Sequence, residues 1–233
     1  MSWVAKLLGR RAALPPPAAA RLERWRALPE PDRAVSPAAA RFIVVDVEST
    51  GLNVRTDRLI AIGAVTIDAA RIDLGRAFYA ILRQQASSTR ENILVHGIGG
   101  TQQREGLDPV EALLAFLEFA GKAPLVGYHA AFDNAMIGTA MREVLGAAFE
   151  RPWIDLAYVA PDLFPDEANR RKHLDAWLEL FRIDVFSRHD AVADALATAQ
   201  LLLAALARAQ TPPDRVAGML WDPGASRWLG QVR

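Results

Sequence analysis

Asp46 and Glu48 stand two residues apart at the end of an apolar run, Phe42-Ile-Val-Val-Asp46-Val-Glu48-Ser-Thr-Gly51-Leu52. Residues 42–45 are apolar and mostly β-branched, as a strand buried on both faces requires. On a strand, positions i and i+2 share a face, so the two carboxylates project side by side. Two anions at an interior edge are costly unless a cation lies between them. Hard oxygen donors suit Mg²⁺ or Mn²⁺. Gly51 then permits a tight turn or the close approach of a ligand. Taken alone, the pair reads as a strand end with two solvated acids.

Three more residues extend the set. Asp133 falls in the first turn of a predicted helix that follows a short strand, at the carboxyl edge of a sheet where α/β proteins place their sites. It is equally well placed to favour the helix dipole. Asp194 lies in the first turns of a long predicted helix, on the side of Ala191, Ala195 and Thr198 rather than on an acidic stripe. His189 precedes that helix and also reads as a loop histidine near a Ser187 cap. Singly, each has an ordinary structural explanation. Jointly, four carboxylates and one histidine are the inventory of a two-metal phosphodiesterase. Two divalent ions about 3.5–4 Å apart bind the attacking water and the leaving oxygen and offset the phosphate charge. An imidazole with an ordinary pKa of about 6.5 takes the proton from water at neutral pH.

These residues need a scaffold, and the pattern supplies one. Residues 42–48, 59–67 and 71–82 read as three strands joined by short connections, hence antiparallel neighbours. Asp108 and Pro109 open a helix that Gly121 ends. Residues 124–129 are a short strand followed by a helix over 130–145, and 153–156 a last strand running into a helical turn. Helices are predicted over 174–181 and 190–207, the latter with Val192, Leu196, Ala199 and Leu203 on one face. Residues 84–100 read as a loop with one helical turn at 92–96, and 161–172 as a charged loop. Strands followed by alternating helices and strands predict an α/β fold with a mixed sheet of about five strands flanked by helices. The chain divides into an Ala/Pro/Arg-rich extension (1–39), one domain (40–209) and a tail (210–233). The extension reads as loosely packed, with a helical stretch near Trp25. Its Arg10, Arg11, Arg21, Arg24 and Arg26 are a possible docking surface for a protein partner.

Composition narrows the function classes. Basic and acidic residues number 27 each, which argues against coating long nucleic acid by charge alone; gripping a few nucleotides through metal ions is still open. With no cysteine, disulfides, thiolate metal sites and cysteine nucleophiles are excluded. No apolar run approaches the roughly 20 residues of a membrane span and no secretory signal is evident, so no membrane partner and a cytoplasmic location are expected.

The chain resembles the DEDDh 3′–5′ exonuclease superfamily, most of all the epsilon proofreading type of bacterial DNA polymerase III and its stand-alone relatives. Three motifs carry the resemblance: Val45-Asp46-Val47-Glu48-Ser49-Thr50-Gly51-Leu52, Val126-Gly-Tyr-His-Ala-Ala-Phe-Asp133, and Arg188-His189-Asp-Ala-Val-Ala-Asp194. Val95-His96-Gly97-Ile98 matches a further family segment. Many members carry His-Asn where this chain has Tyr128-His129.

The resemblance implies a ribonuclease H-like fold, with Asp46, Glu48, Asp133 and Asp194 ligating two Mg²⁺ or Mn²⁺ ions and His189 as general base outside the metal shell. It implies a 3′-terminal nucleotide held by Ser49, Thr50, Gly51 and Leu52, with His96, Ile98 and Phe132 lining the same pocket. The expected substrates are single-stranded or frayed 3′ ends, DNA favoured over RNA, with nucleoside 5′-monophosphates as products. Arg170, Arg171 and Lys172 are candidates for the upstream strand or for a solvated loop. The alternatives are an exoribonuclease of the ribonuclease T or oligoribonuclease type, and a polymerase-docking accessory module. The short stretch after the last predicted helix favours a stand-alone repair or processing enzyme over a replisome subunit.

Overall fold

The computed structural model describes residues 13–32, 35–170, 173–185 and 187–209. Expectations for Arg10, Arg11, Arg171, Lys172 and the tail from 210 lie outside the described residues. Five strands form one mixed sheet in the order β3-β2-β1-β4-β5: β1 Arg41–Ser49, β2 Leu59–Asp68, β3 Arg71–Ile81, β4 Leu125–Gly127 and β5 Trp153–Asp155. β1–β2–β3 is an antiparallel meander, and β4 and β5 add in parallel. The α/β ribonuclease H-like architecture expected above is the one observed. The β2–β3 turn is made by Ala69 and Ala70, both left-handed (φ 47° and 55°); two positive φ angles suit a two-residue hairpin.

The helices are α1 Pro16–Arg26, α2 Arg90–His96, α3 Gly100–Glu105, α4 Pro109–Ala120, α5 Ala131–Ala140, α6 Leu156–Leu163, α7 Pro165–Ala168, α8 Leu174–Phe181 and α9 Ala191–Ala209, and a π-helical turn, Met141–Leu145, continues α5. Asp108 caps α4 through the Val110 N–H at 3.0 Å. α7 occupies a stretch that reads as a loop, and α3 begins where the predicted loop over 84–100 ends. Both are short, and neither carries an apolar period long enough to detect.

The alternation of β1 assigns its side chains to two cores. Ile43, Val45 and Val47 meet α1, α4 and α5, whereas Phe42 and Val44 meet α6, α8 and α9. Asp46 and Glu48 continue the second series, so they lie on the face that α9 covers. Gly63, paired with Asp46 across the β1–β2 ladder, makes that cover possible. A Cβ there would lie 2.2 Å from the Ala191 carbonyl carbon, so only glycine lets the start of α9 rest on the sheet.

The buried face of α9 runs through Ala191, Asp194, Ala195, Thr198 and Leu202, with Val192, Leu196 and Leu203 at its half-buried flanks. Small side chains allow the closer approach, so this face rather than the bulkier stripe turns inward. α9 also passes the length and mean-hydropathy test for a membrane span over Ala191–Arg208, against the expectation that no such run exists. Here it packs on β1 and β2. α1 is not loosely packed: Ala18, Leu22 and Trp25 join the first core. The Trp25 Nε1–H donates to the Gly121 carbonyl at 2.8 Å, and Arg21 pairs with Glu111 and Glu118 at 2.6 and 2.7 Å. Arg21 and Arg26, expected on a docking surface, thus pair within the chain.

Candidate active site

A cleft of about 650 Å³ opens over the carboxyl ends of β1 and β4. Asp46, Glu48 and Asp194 line it, and one carboxylate oxygen from each lies within 4.8 Å of the others. Asp133 is buried (5% exposed) in the first turn of α5, beneath the lining residues. Burial pushes its carboxyl well above the ordinary range and Asp155 and Glu48 add to this, while backbone N–H groups at Asp133 itself and Val47 pull it back. Gly127 leaves room for it: a Cβ there would come within 3.3 Å of Asp133 Oδ2.

The other carboxyls show the same strain. Burial, then Asp133, Asp194 and Glu48, raise Asp46. Glu48 is pushed up to about 8 by burial and by Asp194 and Asp190. Burial raises Asp194 too. Arg188 opposes the shift in all three. Its Nη1 bonds Asp194 Oδ1 and its Nε sits 2.9 Å from Asp175 Oδ1. Four hard-oxygen donors crowded until they resist ionisation fit divalent cations, which offset that crowding directly.

His189 lines the cleft from the turn before α9. Its backbone is left-handed (φ 59°), and its N–H donates to Asp194 Oδ2 at 2.8 Å. The cap of α9 is Asp190, accepting from the Val192 and Ala193 N–H groups, rather than Ser187. An aspartate there leaves the histidine free of capping duty.

The first-motif loop is pinned from within. The Ser49 hydroxyl donates to the Gly51 carbonyl at 2.6 Å, and the Thr50 hydroxyl to Asp57 at 2.9 Å. A Cβ on Gly51 would lie 2.5 Å from Asp57 Oδ2. Ser49, Gly51, Leu52, His96 and Phe132 line the cleft, with Leu52 87% exposed at its mouth. Thr50 and Ile98 are not among the lining residues; Ile98 is buried against Ile60 and Ala61. His96 Nδ1 accepts the Ile98 N–H at 2.9 Å, so Nε2 carries the proton and donates to Asn92 Oδ1 at 2.8 Å. Burial lowers this imidazole's pKa.

Three site-building residues escaped the sequence reading. Arg188 was visible as a cation beside the third-motif histidine. Gly63 was visible as a glycine inside a β-branched run. Asp155, at the end of β5, accepts the N–H groups of His129 and Ala157 at 2.9 and 3.0 Å and so holds His129 in its left-handed conformation (φ 61°). Its signal was an aspartate at a strand-to-helix junction.

The model of the exonuclease (RNase T) family matches residues 43–202. Among curated proteins, the PolC-type DNA polymerase III of Thermotoga maritima is 30% identical over 164 residues, covering 70% of this chain and 12% of that protein. The Bacillus subtilis counterpart is 31% identical over 164 residues, covering 70% and 11%. This chain therefore spans about an eighth of the length of these relatives. Among solved structures, E. coli exonuclease I in complex with a dT13 oligonucleotide superposes with a TM-score of 0.61 at 18% identity, covering 75% of this chain and 43% of that one. Exonuclease X in complex with 5′-overhanging duplex DNA gives 0.57 at 18%, covering 77% and 97%.

Proposed function

This chain belongs to the exonuclease family, within the DEDDh 3′–5′ superfamily of phosphodiester hydrolases, and on that premise we propose that it removes nucleoside 5′-monophosphates one at a time from DNA 3′ ends. The observation that carries the proposal is the cluster of Asp46, Glu48 and Asp194 oxygens within 4.8 Å, with Asp133 buried beside it. These four carboxylates would hold two Mg²⁺ or Mn²⁺ ions. When bound, the ions supply Lewis-acid activation and positive charge at the phosphate.

The chain's own residues do the rest. The backbone around Ser49, Gly51 and Leu52 seats the terminal nucleotide, with Leu52 and Phe132 against its base and sugar. His189 accepts the proton of the attacking water on its imidazole. The water oxygen bonds to phosphorus as the P–O3′ bond breaks; the phosphate stays on the 5′ oxygen of the released nucleotide, and O3′ remains on the shortened strand and takes up a proton. The curated relatives at 30–31% identity are DNA polymerases, which supports DNA over RNA. A cytoplasmic setting goes with this reading.

The test is digestion of 3′- and 5′-labelled oligonucleotides, as DNA and as RNA, with Mg²⁺ or Mn²⁺. A ladder shortening from the 3′ end, abolished by EDTA and slowed about 10²–10⁴-fold by His189→Ala, is expected, with DNA cut faster than RNA. No metal-dependent shortening of either would overturn the proposal.

A further inference from the structure

The loop over residues 50–58 and helix α5 wall the cleft on one side and a second hollow, of about 470 Å³, on the other. Gly51, Leu52 and Phe132 face the cleft, whereas Arg55, Asn134 and Arg142 face the hollow. Asn134, Gly138 and Arg142 recur at i, i+4 and i+8, so the floor is one stripe of α5 and the π-helical turn that continues it. Arg142 lies back over that floor. Its Nη1 comes within 3.5 Å of where a Gly138 Cβ would be, and its Nη2 donates to Thr139 Oγ1 at 2.9 Å. Helical side chains lean towards the helix N-terminus, so this charge lies over the turn of α5 that carries Gly138 and Thr139. Arg55 is exposed on the loop.

No carboxylate is among the described residues lining the hollow, whereas Asp46, Glu48, Asp175 and Asp194 line the cleft. A phosphate chain leaving an acid-lined cleft needs side-chain cations as soon as it passes beyond the metals, and this hollow adjoins the cleft across a single loop. We propose that the hollow seats phosphates of the cleaved strand upstream of the scissile bond, with Arg55 and Arg142 pairing to them. The volume suits one or two nucleotides. The inference rests on the exonuclease reading for the position of the 3′ end.

Binding of fluorescent oligothymidylates, one short and one long, and of a fluorescent duplex with a recessed 3′ end, is measured by anisotropy in Ca²⁺ for the wild type and the Arg55→Ala/Arg142→Ala protein. The long strand should bind on the order of tenfold more weakly in the variant, and the short one unchanged. The salt slope should fall by roughly 0.7 for each phosphate no longer paired with an arginine. An unchanged long-strand affinity overturns the proposal. So does an equal loss on the short strand, which would mean a disturbed cleft or fold, checked by the melting temperature. A loss confined to a duplex with a recessed 3′ end overturns it too, because the occupant is then the complementary strand. Hydrolysis is followed separately: none by the wild type counts against the exonuclease reading, while the binding comparison still decides on the hollow.

Discussion

His189 and Asp194 are joined before any chemistry begins. One oxygen of Asp194 accepts the His189 N–H and the other meets Arg188, so one carboxylate positions the proposed base and balances the local charge. Replacing the imidazole alone should leave the carboxylate cluster intact. His189→Ala is expected to lower kcat by about 10²–10⁴ and to leave Mn²⁺ binding, measured by calorimetry, within a few-fold of wild type. Asp194→Asn should instead abolish that calorimetric binding, since it keeps the shape and removes the charge. Equal loss of metal binding in both variants would place His189 in the metal shell and sink the division of roles.

At the scale of elements, the site depends on how closely α9 approaches β2. A Gly63→Val side chain must displace the backbone of Ala191, and overpacking of this kind costs about 1–3 kcal/mol. The expected result is a lower urea midpoint together with loss of activity, because Asp194 moves with the helix. Full activity in a folded Gly63→Val protein would show that the close approach does not position Asp194. α1 is coupled differently. Trp25 is 7% exposed, bonded to Gly121, and under the Lys122 ammonium at 4.0 Å. Trp25→Ala should cost about 3–5 kcal/mol of stability and leave the turnover of the still-folded fraction unchanged, since α1 does not line the cleft. A kcat change at a temperature where the variant is folded would contradict that separation.

For the whole molecule, the crowded carboxyls set the pH dependence. Glu48 is raised to about 8 in the folded chain, against about 4.3 when unfolded. The folded state therefore binds more protons than the unfolded one in between, and stability falls as pH rises through that window. In EDTA the melting temperature should drop between pH 5 and pH 8, and Glu48→Gln should flatten the drop. Added Mg²⁺ should raise the melting temperature more at pH 8 than at pH 5, because the ligands must be ionised. A rise independent of pH would argue against these carboxyls as the ligands. The sequence by itself determined the mixed sheet, the placing of Asp46 and Glu48 on one face of β1, and the strand end before Asp133. Each of these follows from local periodicity and short connections. It also singled out the four carboxylates and His189 by motif. Only the tertiary structure decided that Gly63 admits α9, that Arg188 bridges Asp194 and Asp175, and that Asp155 holds His129. It also decided that Ile98 faces the core and that α1 closes it. Except for the Arg188 pairs, which join the turn before α9 to Asp194 and to α8, these are contacts between segments far apart in the chain, set by which surfaces can approach closely, and no local spacing encodes them.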